Sequence, residues 1–274
     1  MHIVEELIEE RAPKLVTSAA WPLVKPLLYG LLGYGKAVGM ADAIAEMSGE
    51  AALDYVSRLL SLDVVVRSIE RIPKTGRCVV LCNHPTGIAD GVAVYDTLRR
   101  VRDDAIFFAN ADALRVSPRL SEVIIPVEWV EAKRTREKTR ATLVAARDAF
   151  ESERCVVLFP AGRLARRDAQ GRLSDPPWAT TAVSLAQKYQ APIVPIHVAG
   201  PNSVWFHTFN RFSPELRDIT LFHELLNKAG KRFDLTVGPV LPPDKLDMET
   251  GLLCNRLKAY IERDLCNDPD KAAL

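Results

Sequence analysis

Residues 79–90, with the sequence VVLCNHPTGIAD, carry the side chains best suited to chemistry. An apolar run leads to His84, a proline and a glycine follow, and Asp90 lies six residues after the histidine. A neutral imidazole can accept a proton from a hydroxyl at one nitrogen. A carboxylate at the other nitrogen fixes the tautomer and stabilises the imidazolium. His84 and Asp90 are therefore a candidate general base and the residue that orients it.

The sequence around this pair favours activation of a substrate hydroxyl. The chain contains no G-x-S-x-G stretch, which marks the serine nucleophile of many hydrolases. Cys82 is an alternative nucleophile, but its place inside the apolar run favours a buried thiol. Cys78, Cys82 and His84 would share one face of a strand and invite a metal site. A closed site needs four ligands, and the sequence has no second cluster of cysteine and histidine, so we predict no metal.

A second loop of interest, at 159–163, follows another apolar run and reads FPAGR. Gly162 permits a close approach of the backbone, and Arg163 offers a planar fork that suits phosphate or carboxylate. We predict that Pro160, Gly162 and Arg163 bind substrate. For the arginines that follow, a solvated surface loop is the favoured interpretation: Arg166, Arg167 and Arg172.

A third loop follows the apolar run AIFFAN at 105–110 and adds Asn110 and Arg115 to the predicted substrate-binding residues. The basic run at 133–140 is interleaved with glutamates, which is typical of a solvated helix face, although it also suits contact with anionic lipid. The remaining histidines with no carboxylate in a telling register are expected to be structural: His197, His207 and His223.

The elements that position these loops alternate between strand and helix from residue 62 onward. Strands are predicted at 62–70, 77–83, 105–110, 123–129, 154–160, 192–200 and 232–240. Helices are predicted at 91–100, 114–120, 133–150, 178–189, 215–228 and 248–266. This order predicts a single α/β domain with a mainly parallel mixed sheet flanked by helices. His84 would lie at the carboxyl end of a strand, where open α/β sheets bind ligands.

The first sixty residues have helical periodicity and include an apolar, aromatic-rich segment at 15–34. Two prolines, Pro22 and Pro26, interrupt this segment, and Lys25 adds a positive charge to it. A membrane-spanning helix needs about 20 uninterrupted apolar residues. We predict a membrane-docking segment here, while packing on the domain's own core fits the pattern equally well. The predicted division is an N-terminal helical segment, an α/β domain and a tail, at 1–60, 61–266 and 267–274.

Composition narrows the classes of function. With 274 residues, 48% of them hydrophobic, the chain can bury a sizeable core. A net charge of +1 gives no electrostatic reason to expect nucleic acid as a partner. Five cysteines without framework spacing suggest a reducing compartment. The residues before the apolar segment are acidic, so we expect no signal peptide.

Three blocks in the order NHPTGIADG, VVLFPAGR and APIVPIHVAGPNS resemble the phospholipid/glycerol acyltransferase superfamily, over roughly residues 62–243. The stretch W-x-T-x-x-x-x-L-A from Trp178, GPNS at 200–203 and LRD...FHELLNKAGKR at 216–232 resemble its hemolysin-like branch. That branch includes enzymes that O-acylate lyso-ornithine-type lipids or lysophospholipids.

The resemblance implies transfer of a fatty acyl group from an acyl thioester to a lipid hydroxyl. The acyl thioester, on acyl carrier protein or coenzyme A, is a co-substrate, and no cofactor is implied. His84 would be the base, Asp90 its partner, and the 159–163 loop the binder of the acceptor head group. Backbone N–H groups near Gly87 would be candidate donors to the oxyanion. The expected location is the cytoplasmic face of the inner membrane, peripheral or monotopic.

The chain departs from the common family pattern at three places. Five residues separate His84 from Asp90 where four are usual, which is the spacing of the hemolysin-like branch. Ala161 replaces a glutamate, and Glu128 and Trp129 stand where an arginine usually grips phosphate. These changes favour an acceptor other than glycerol phosphate, such as an amino-acid lipid. A non-catalytic lipid-binding protein on the same scaffold and an acyl hydrolase remain alternative functions.

Overall fold

A computed structural model of the protein describes residues 1–128, 134–167, 173–201, 209 and 213–274. A seven-stranded sheet lies at its centre. The strands of this sheet are β1 (Asp63–Arg67), β2 (Cys78–Cys82), β3 (Ala105–Asn110), β4 (Ile124–Val127), β5 (Cys155–Leu158), β8 (Ile193–Ala199) and β9 (Arg232–Val237). A separate two-stranded hairpin consists of β6 (Arg166–Arg167) and β7 (Leu173–Ser174).

The strand order is β1-β9-β8-β2-β5-β3-β4. Every neighbouring pair is parallel except β8 and β9. This arrangement confirms the predicted α/β fold with a mainly parallel mixed sheet. Strand β2 lies between β8 and β5, and all five of its residues are buried. A central parallel strand is covered on both faces, which explains its uninterrupted apolar sequence.

Helices cover both faces of the sheet. Their bounds are α1 (Ile3–Arg11), α2 (Pro13–Val16), α3 (Trp21–Leu32), α4 (Tyr34–Ile44), α5 (Gly49–Leu60), α6 (Ile88–Leu98), α7 (Asp112–Val116), α8 (Arg136–Glu151), α9 (Thr181–Lys188), α10 (Pro214–Ile219), α11 (Leu221–Leu226) and α12 (Thr250–Ala259). Alternate β2 residues enter the two cores. Cys78, Val80 and Cys82 pack with α4, α5 and α6, whereas Val79 and Leu81 pack with α8, α9 and α12.

The N-terminal helices build a third apolar cluster against α10, in which Val4, Ile8 and Ile219 are buried. Ion pairs reinforce the attachment, as when Arg11 contacts Asp112 of α7 at 2.9 Å. Helix α5 ends at Leu60, and β1 begins at Asp63. Among the described residues, no helix combines the length and apolar character needed to cross a bilayer.

Several predicted boundaries are wrong. The helix predicted at 215–228 is two short helices, α10 and α11, because the chain bends at Thr220, whose hydroxyl donates to the Arg217 carbonyl at 2.7 Å. Of the helix predicted at 248–266, the α-helical part ends at Ala259, and a π-helical turn follows at Tyr260–Asp264. The hairpin of β6 and β7 had no signal in the sequence. Pro126 is tolerated in β4 because this strand lies at the sheet edge.

Some predicted features lie outside the described residues. They are Trp129, the beginning of the helix predicted from 133, Arg172, the end of the GPNS stretch and His207.

Candidate active site

His84 and Asp90 meet at the carboxyl end of β2. The strand ends at Cys82, His84 lies in the following loop, and α6 begins at Ile88. The His84 Nδ1 atom lies 3.0 Å from Asp90 Oδ2. The Asp90 side chain is fully buried, whereas the His84 side chain is 17% exposed. None of the described residues hydrogen-bonds His84 Nε2.

The Asp90 carboxylate is held by the loop that it closes. Besides His84, it accepts hydrogen bonds from the Thr86 N–H at 2.9 Å, the Thr86 hydroxyl at 2.6 Å and the Gly87 N–H at 3.0 Å. These four donors offset the cost of burying the carboxylate, and its position in the first turn of α6 is electrostatically favourable. The Gly87 N–H is therefore already used, and donation to an oxyanion by other backbone N–H groups near this residue stays a prediction.

Glycine is required at position 87 for two reasons. Its φ of 98° lies in the left-handed region, which residues with a side chain rarely adopt. A Cβ added there would also lie 3.1 Å from a methyl carbon of Leu164. This turn starts α6 at Ile88, three residues before the predicted beginning at 91. The earlier start places Asp90 in the first helical turn, facing back toward His84.

A second segment holds the His84 backbone on both sides. The His84 N–H donates to both carboxylate oxygens of Asp175 at 3.1 Å, and the Ala165 N–H donates to the His84 carbonyl at 2.9 Å. The Phe159 ring lies 4.6 Å from the imidazole, centroid to centroid. The main chain and the ring of His84 are therefore both fixed, which preorganises the base.

Asp175 is a residue of the site that the sequence interpretation missed. It is buried, and it accepts a hydrogen bond from Trp178 Nε1 at 2.9 Å as well as those from His84. Burial raises the pKa of Asp175 to about 6, against the opposing effect of these hydrogen bonds. The only available signal was an aspartate three residues before a tryptophan, which does not identify a backbone partner.

The 159–163 loop lies next to the pair because β5 adjoins β2 in the sheet. Gly162 has a φ of 59°, and its N–H donates to the Phe159 carbonyl at 3.0 Å. The Pro160 carbonyl accepts from Ala179 at 3.0 Å, so its contribution is to fix the loop. Arg163 is exposed, and none of the described residues forms an ion pair or hydrogen bond with it. Binding of substrate by these residues stays a prediction.

The third predicted loop connects α7 to the N-terminal helices. The Asn110 side-chain oxygen accepts from Asp112 N–H at 2.9 Å, which starts α7. Arg115 pairs with Glu10 at 2.9 Å and Glu6 at 3.4 Å, both in α1. Within the described part of the chain, no hydrogen bond joins Asn110 or Arg115 to His84 or Asp90. Their role in substrate binding also stays a prediction.

The neighbouring cysteine is unsuited to nucleophilic attack. Burial raises the pKa of the Cys82 thiol well above its usual range, with the charges of Asp90 and Asp175 adding to the effect. In the described ranges, no group of three or more histidine, cysteine, aspartate or glutamate residues could hold a metal ion.

A cavity of about 210 Å³ lies away from His84. Its lining includes Ala105, which begins β3, and Arg154, which precedes β5. It therefore opens at the amino-terminal edge of the sheet, whereas the His84 loop lies at the carboxyl edge, where α/β folds bind their ligands.

Comparisons with known proteins identify the relatives of this chain. The family model for Acyltransferase matches residues 63–199. A lyso-glycine lipid O-acyltransferase from Phocaeicola vulgatus is 27% identical over 201 residues, covering 71% of this chain and 70% of that protein. A protein of the same description from Bacteroides thetaiotaomicron is 26% identical over 201 residues, covering 71% and 72%.

A solved structure has a similar fold. The crystal structure of the 1-acyl-sn-glycerophosphate acyltransferase PlsC from Thermotoga maritima superposes with a TM-score of 0.50 at 14% identity, covering 96% of this chain and all of that one. The family match spans the strands from β1 to β8, including the His84 and Arg163 loops. The chain therefore belongs to the acyltransferase family, and it is an enzyme of lipid acyl transfer.

Proposed function

We propose that the protein O-acylates a lyso-lipid, with His84 as general base. His84 Nε2 takes the proton of the acceptor hydroxyl, and the hydroxyl oxygen attacks the carbonyl carbon of an acyl thioester. The C–S bond then breaks, and the leaving thiolate takes the proton back from the imidazolium. The acyl group ends as an ester on the lipid. The observation that carries this proposal is the 3.0 Å contact of His84 Nδ1 with the buried Asp90 carboxylate, which leaves Nε2 for the acceptor.

The acceptor that we propose is a lyso-lipid with an amino-acid head group. The two relatives are described as acting on lyso-glycine lipid, and their similarity covers about 70% of each chain. Ala161 removes a negative charge from the loop that carries Arg163. An acceptor with a free carboxylate would find the guanidinium fork of Arg163 without a competing neighbour.

The acyl donor is an acyl thioester of acyl carrier protein or coenzyme A. Either donor supplies the same carbonyl carbon to the attacking hydroxyl, so the mechanism is the same for both. Parallel assays with the two donors and one acceptor would identify the one that is used.

We also propose that α3 docks on the cytoplasmic face of the inner membrane without spanning it. Leu23, Leu27 and Leu31 recur every four residues along this helix, and their side chains are 84%, 74% and 49% exposed. Lys25 pairs with Glu5, which ties α3 to α1. A row of exposed leucines on a helix otherwise attached to the domain fits insertion into the lipid interface.

Vesicle sedimentation tests the docking face. Leu27→Glu should lower the bound fraction severalfold, since a charge replaces an apolar side chain at the interface. Leu143→Glu is the matched control, because Leu143 is an exposed leucine, 55% accessible, on α8. Equal binding of the two variants would refute the proposed docking face.

The central experiment combines purified protein, one labelled acyl thioester and a series of lyso-lipids, with products identified by mass spectrometry. We expect a new diacyl lipid with the lyso-glycine acceptor. Release of free fatty acid without acceptor acylation would instead identify a hydrolase. His84→Asn keeps an amide near the Nδ1 position, which can still donate to Asp90, but it supplies no base. Its rate should fall by about 10²–10⁴-fold, and near wild-type transfer would refute the role of His84.

A further inference from the structure

Arg166, at the beginning of β6, forms no ion pair with any residue in the described part of the chain. Its Nε atom is buried and has no hydrogen-bond partner. Leaving a buried N–H donor without a hydrogen-bond partner is unfavourable. Folded proteins rarely retain such a group without a reason, and a ligand that is absent from the free protein is one such reason.

Two further arginines lie close enough to Arg166 for their positive charges to act on it. The pKa of Arg166 is lowered, first by burial and then by the positive charges of Arg217 and Arg163. Arg217 lies in α10, far along the chain from the β6 hairpin, and it pairs with the adjacent Asp218 at 2.7 Å. Asp218 also attracts Arg166 weakly. The positive charges of Arg163 and Arg217 therefore both act on Arg166, and the Asp218 carboxylate pairs with Arg217.

This arginine cluster, defined as Arg163, Arg166 and Arg217, adjoins the candidate base. Ala165, the residue before Arg166, donates its N–H to the His84 carbonyl at 2.9 Å. Leu164 approaches the position of a Cβ at Gly87 within 3.1 Å. The chain carrying two of the arginines thus runs directly along the loop that carries the base.

We propose that the arginine cluster binds the carboxylate of the acceptor's amino-acid head group while the acceptor hydroxyl lies at His84 Nε2. This inference rests on the proposed function and adds Arg166 and Arg217 to the predicted contact at Arg163. Guanidinium groups pair with oxyanions through parallel N–H bonds, so an anion would satisfy the buried Nε–H of Arg166 and relieve the repulsion among the three charges.

The phosphate groups of the acyl donor are a second kind of oxyanion that guanidinium groups bind. We favour the acceptor, because the cluster adjoins the base that must contact the acceptor hydroxyl. Binding experiments distinguish the two oxyanions, because the carboxylate belongs to the acceptor and the phosphates belong to the acyl donor.

Equilibrium binding without acyl donor tests the site independently of turnover. The probes are lyso-glycine lipid and its carboxamide, which share the acyl chain and differ in the head-group charge. The wild type should bind the carboxylate form more tightly, by about tenfold to a hundredfold, in line with hydrogen bonds to charged groups. Arg166→Gln should abolish this preference, and Arg166→Lys, which keeps the charge without the fork, should retain part of it.

Arg256→Gln is the matched control, because Arg256 is an exposed arginine on α12 and its loss changes the net charge equally. It should leave the preference for the carboxylate unchanged. Thermal unfolding should show Arg166→Gln to be no less stable than the wild type, since the substitution removes a partly buried charge that forms no ion pair with a described residue.

A wild type without preference for the carboxylate, or an Arg166→Gln variant that keeps the full preference, would overturn the proposal. Weaker binding of coenzyme A by Arg166→Gln, with acceptor binding unchanged, would assign the cluster to the donor and also overturn it. Turnover with both donors is measured separately, so loss of the proposed function would appear as absent acylation by the wild type even where binding shows the preference.

Discussion

Replacing Asp90 with asparagine would test the electrostatic part of the proposed mechanism with little change of shape. In the native protein, Oδ2 accepts three N–H groups, from His84, Thr86 and Gly87, while Oδ1 accepts the Thr86 hydroxyl. An asparagine with its oxygen at the Oδ2 position keeps all three N–H donors. Its amide group then donates to the Thr86 oxygen, whose hydroxyl can rotate. The substitution therefore removes the negative charge and retains the hydrogen bonds.

The expected loss follows from the distance between the charges. His84 Nδ1 and Asp90 Oδ2 are 3.0 Å apart, so the delocalised charges are centred about 4 Å apart when the imidazole is protonated. With an effective dielectric constant of about 20, their attraction is about 4 kcal/mol. This attraction exists after the proton has moved to His84, so it stabilises the transition state rather than the free enzyme. Its loss should lower kcat by about 10³-fold.

The assay is the initial rate of diacyl lipid formation at saturating donor and acceptor, measured by mass spectrometry. Thr86→Val is the matched control, because it removes one hydrogen bond to Asp90 and leaves the charge. That variant should lose about tenfold or less in kcat. Circular dichroism and the unfolding midpoint should show that Asp90→Asn is folded. A folded Asp90→Asn protein with kcat within tenfold of the wild type would refute the assignment of a protonated His84 beside Asp90.

Three further predictions concern the loop that holds His84 and the opposite edge of the sheet. Because the pKa of Asp175 is raised to about 6, the stability it contributes is present below about pH 4 and is lost as the pH rises through about 6. In urea unfolding, the free energy of unfolding of the wild type should therefore be about 2 kcal/mol larger at about pH 4.5 than at about pH 7 because of Asp175, and Asp175→Asn should remove this contribution. An unchanged pH dependence in the variant would contradict the burial of a titrating carboxyl. Gly87→Ala should cost about 1–2 kcal/mol, from its positive φ and its contact with Leu164, with a larger loss of activity; wild-type stability would show that the turn relaxes. Arg102→Met should cost about 1–3 kcal/mol in chemical denaturation, because three backbone carbonyls lose the buried guanidinium that donates to them, whereas the Asp104 side chain is 41% exposed and can be solvated; a cost below about 0.5 kcal/mol would contradict this role of the buried guanidinium.

The sheet could be predicted from the sequence because its strands are uninterrupted apolar runs. The strand predicted at 105–110 is β3 with the same bounds, and β2 and β5 differ from their predicted ranges only at the ends. Helix ends were predicted less well, since they depend on local hydrogen bonds that apolar periodicity does not record. The start of α6 depends on the φ of Gly87, and between α10 and α11 the N–H and the hydroxyl of Thr220 both donate to the Arg217 carbonyl.

The part of the site that lies within one short segment of the chain could be predicted from the sequence. His84 and Asp90 belong to one turn between a strand and a helix, so their six-residue spacing carries the geometry. Asp175 lies 91 residues from His84 and contacts its backbone N–H, a group that every residue except proline possesses. No pattern of side chains can reveal such a contact. The sequence around Arg166 predicts a solvated surface loop. The influence of Arg217 cannot be read from that local sequence, because Arg217 lies in a distant segment of the chain.

The chain between β5 and α9 links the base to the proposed head-group site. Asp175 holds the His84 N–H, and Ala165 holds the His84 carbonyl, while Arg163 and Arg166 lie in the same segment. Both backbone hydrogen-bonding groups of His84 are held by this segment, so we expect changes in the segment to affect the position of the imidazole. Substitutions at Asp175 should therefore change both the KM for the acceptor and kcat, whereas Asp90→Asn, which alters only the charge beside the imidazole, should change kcat alone.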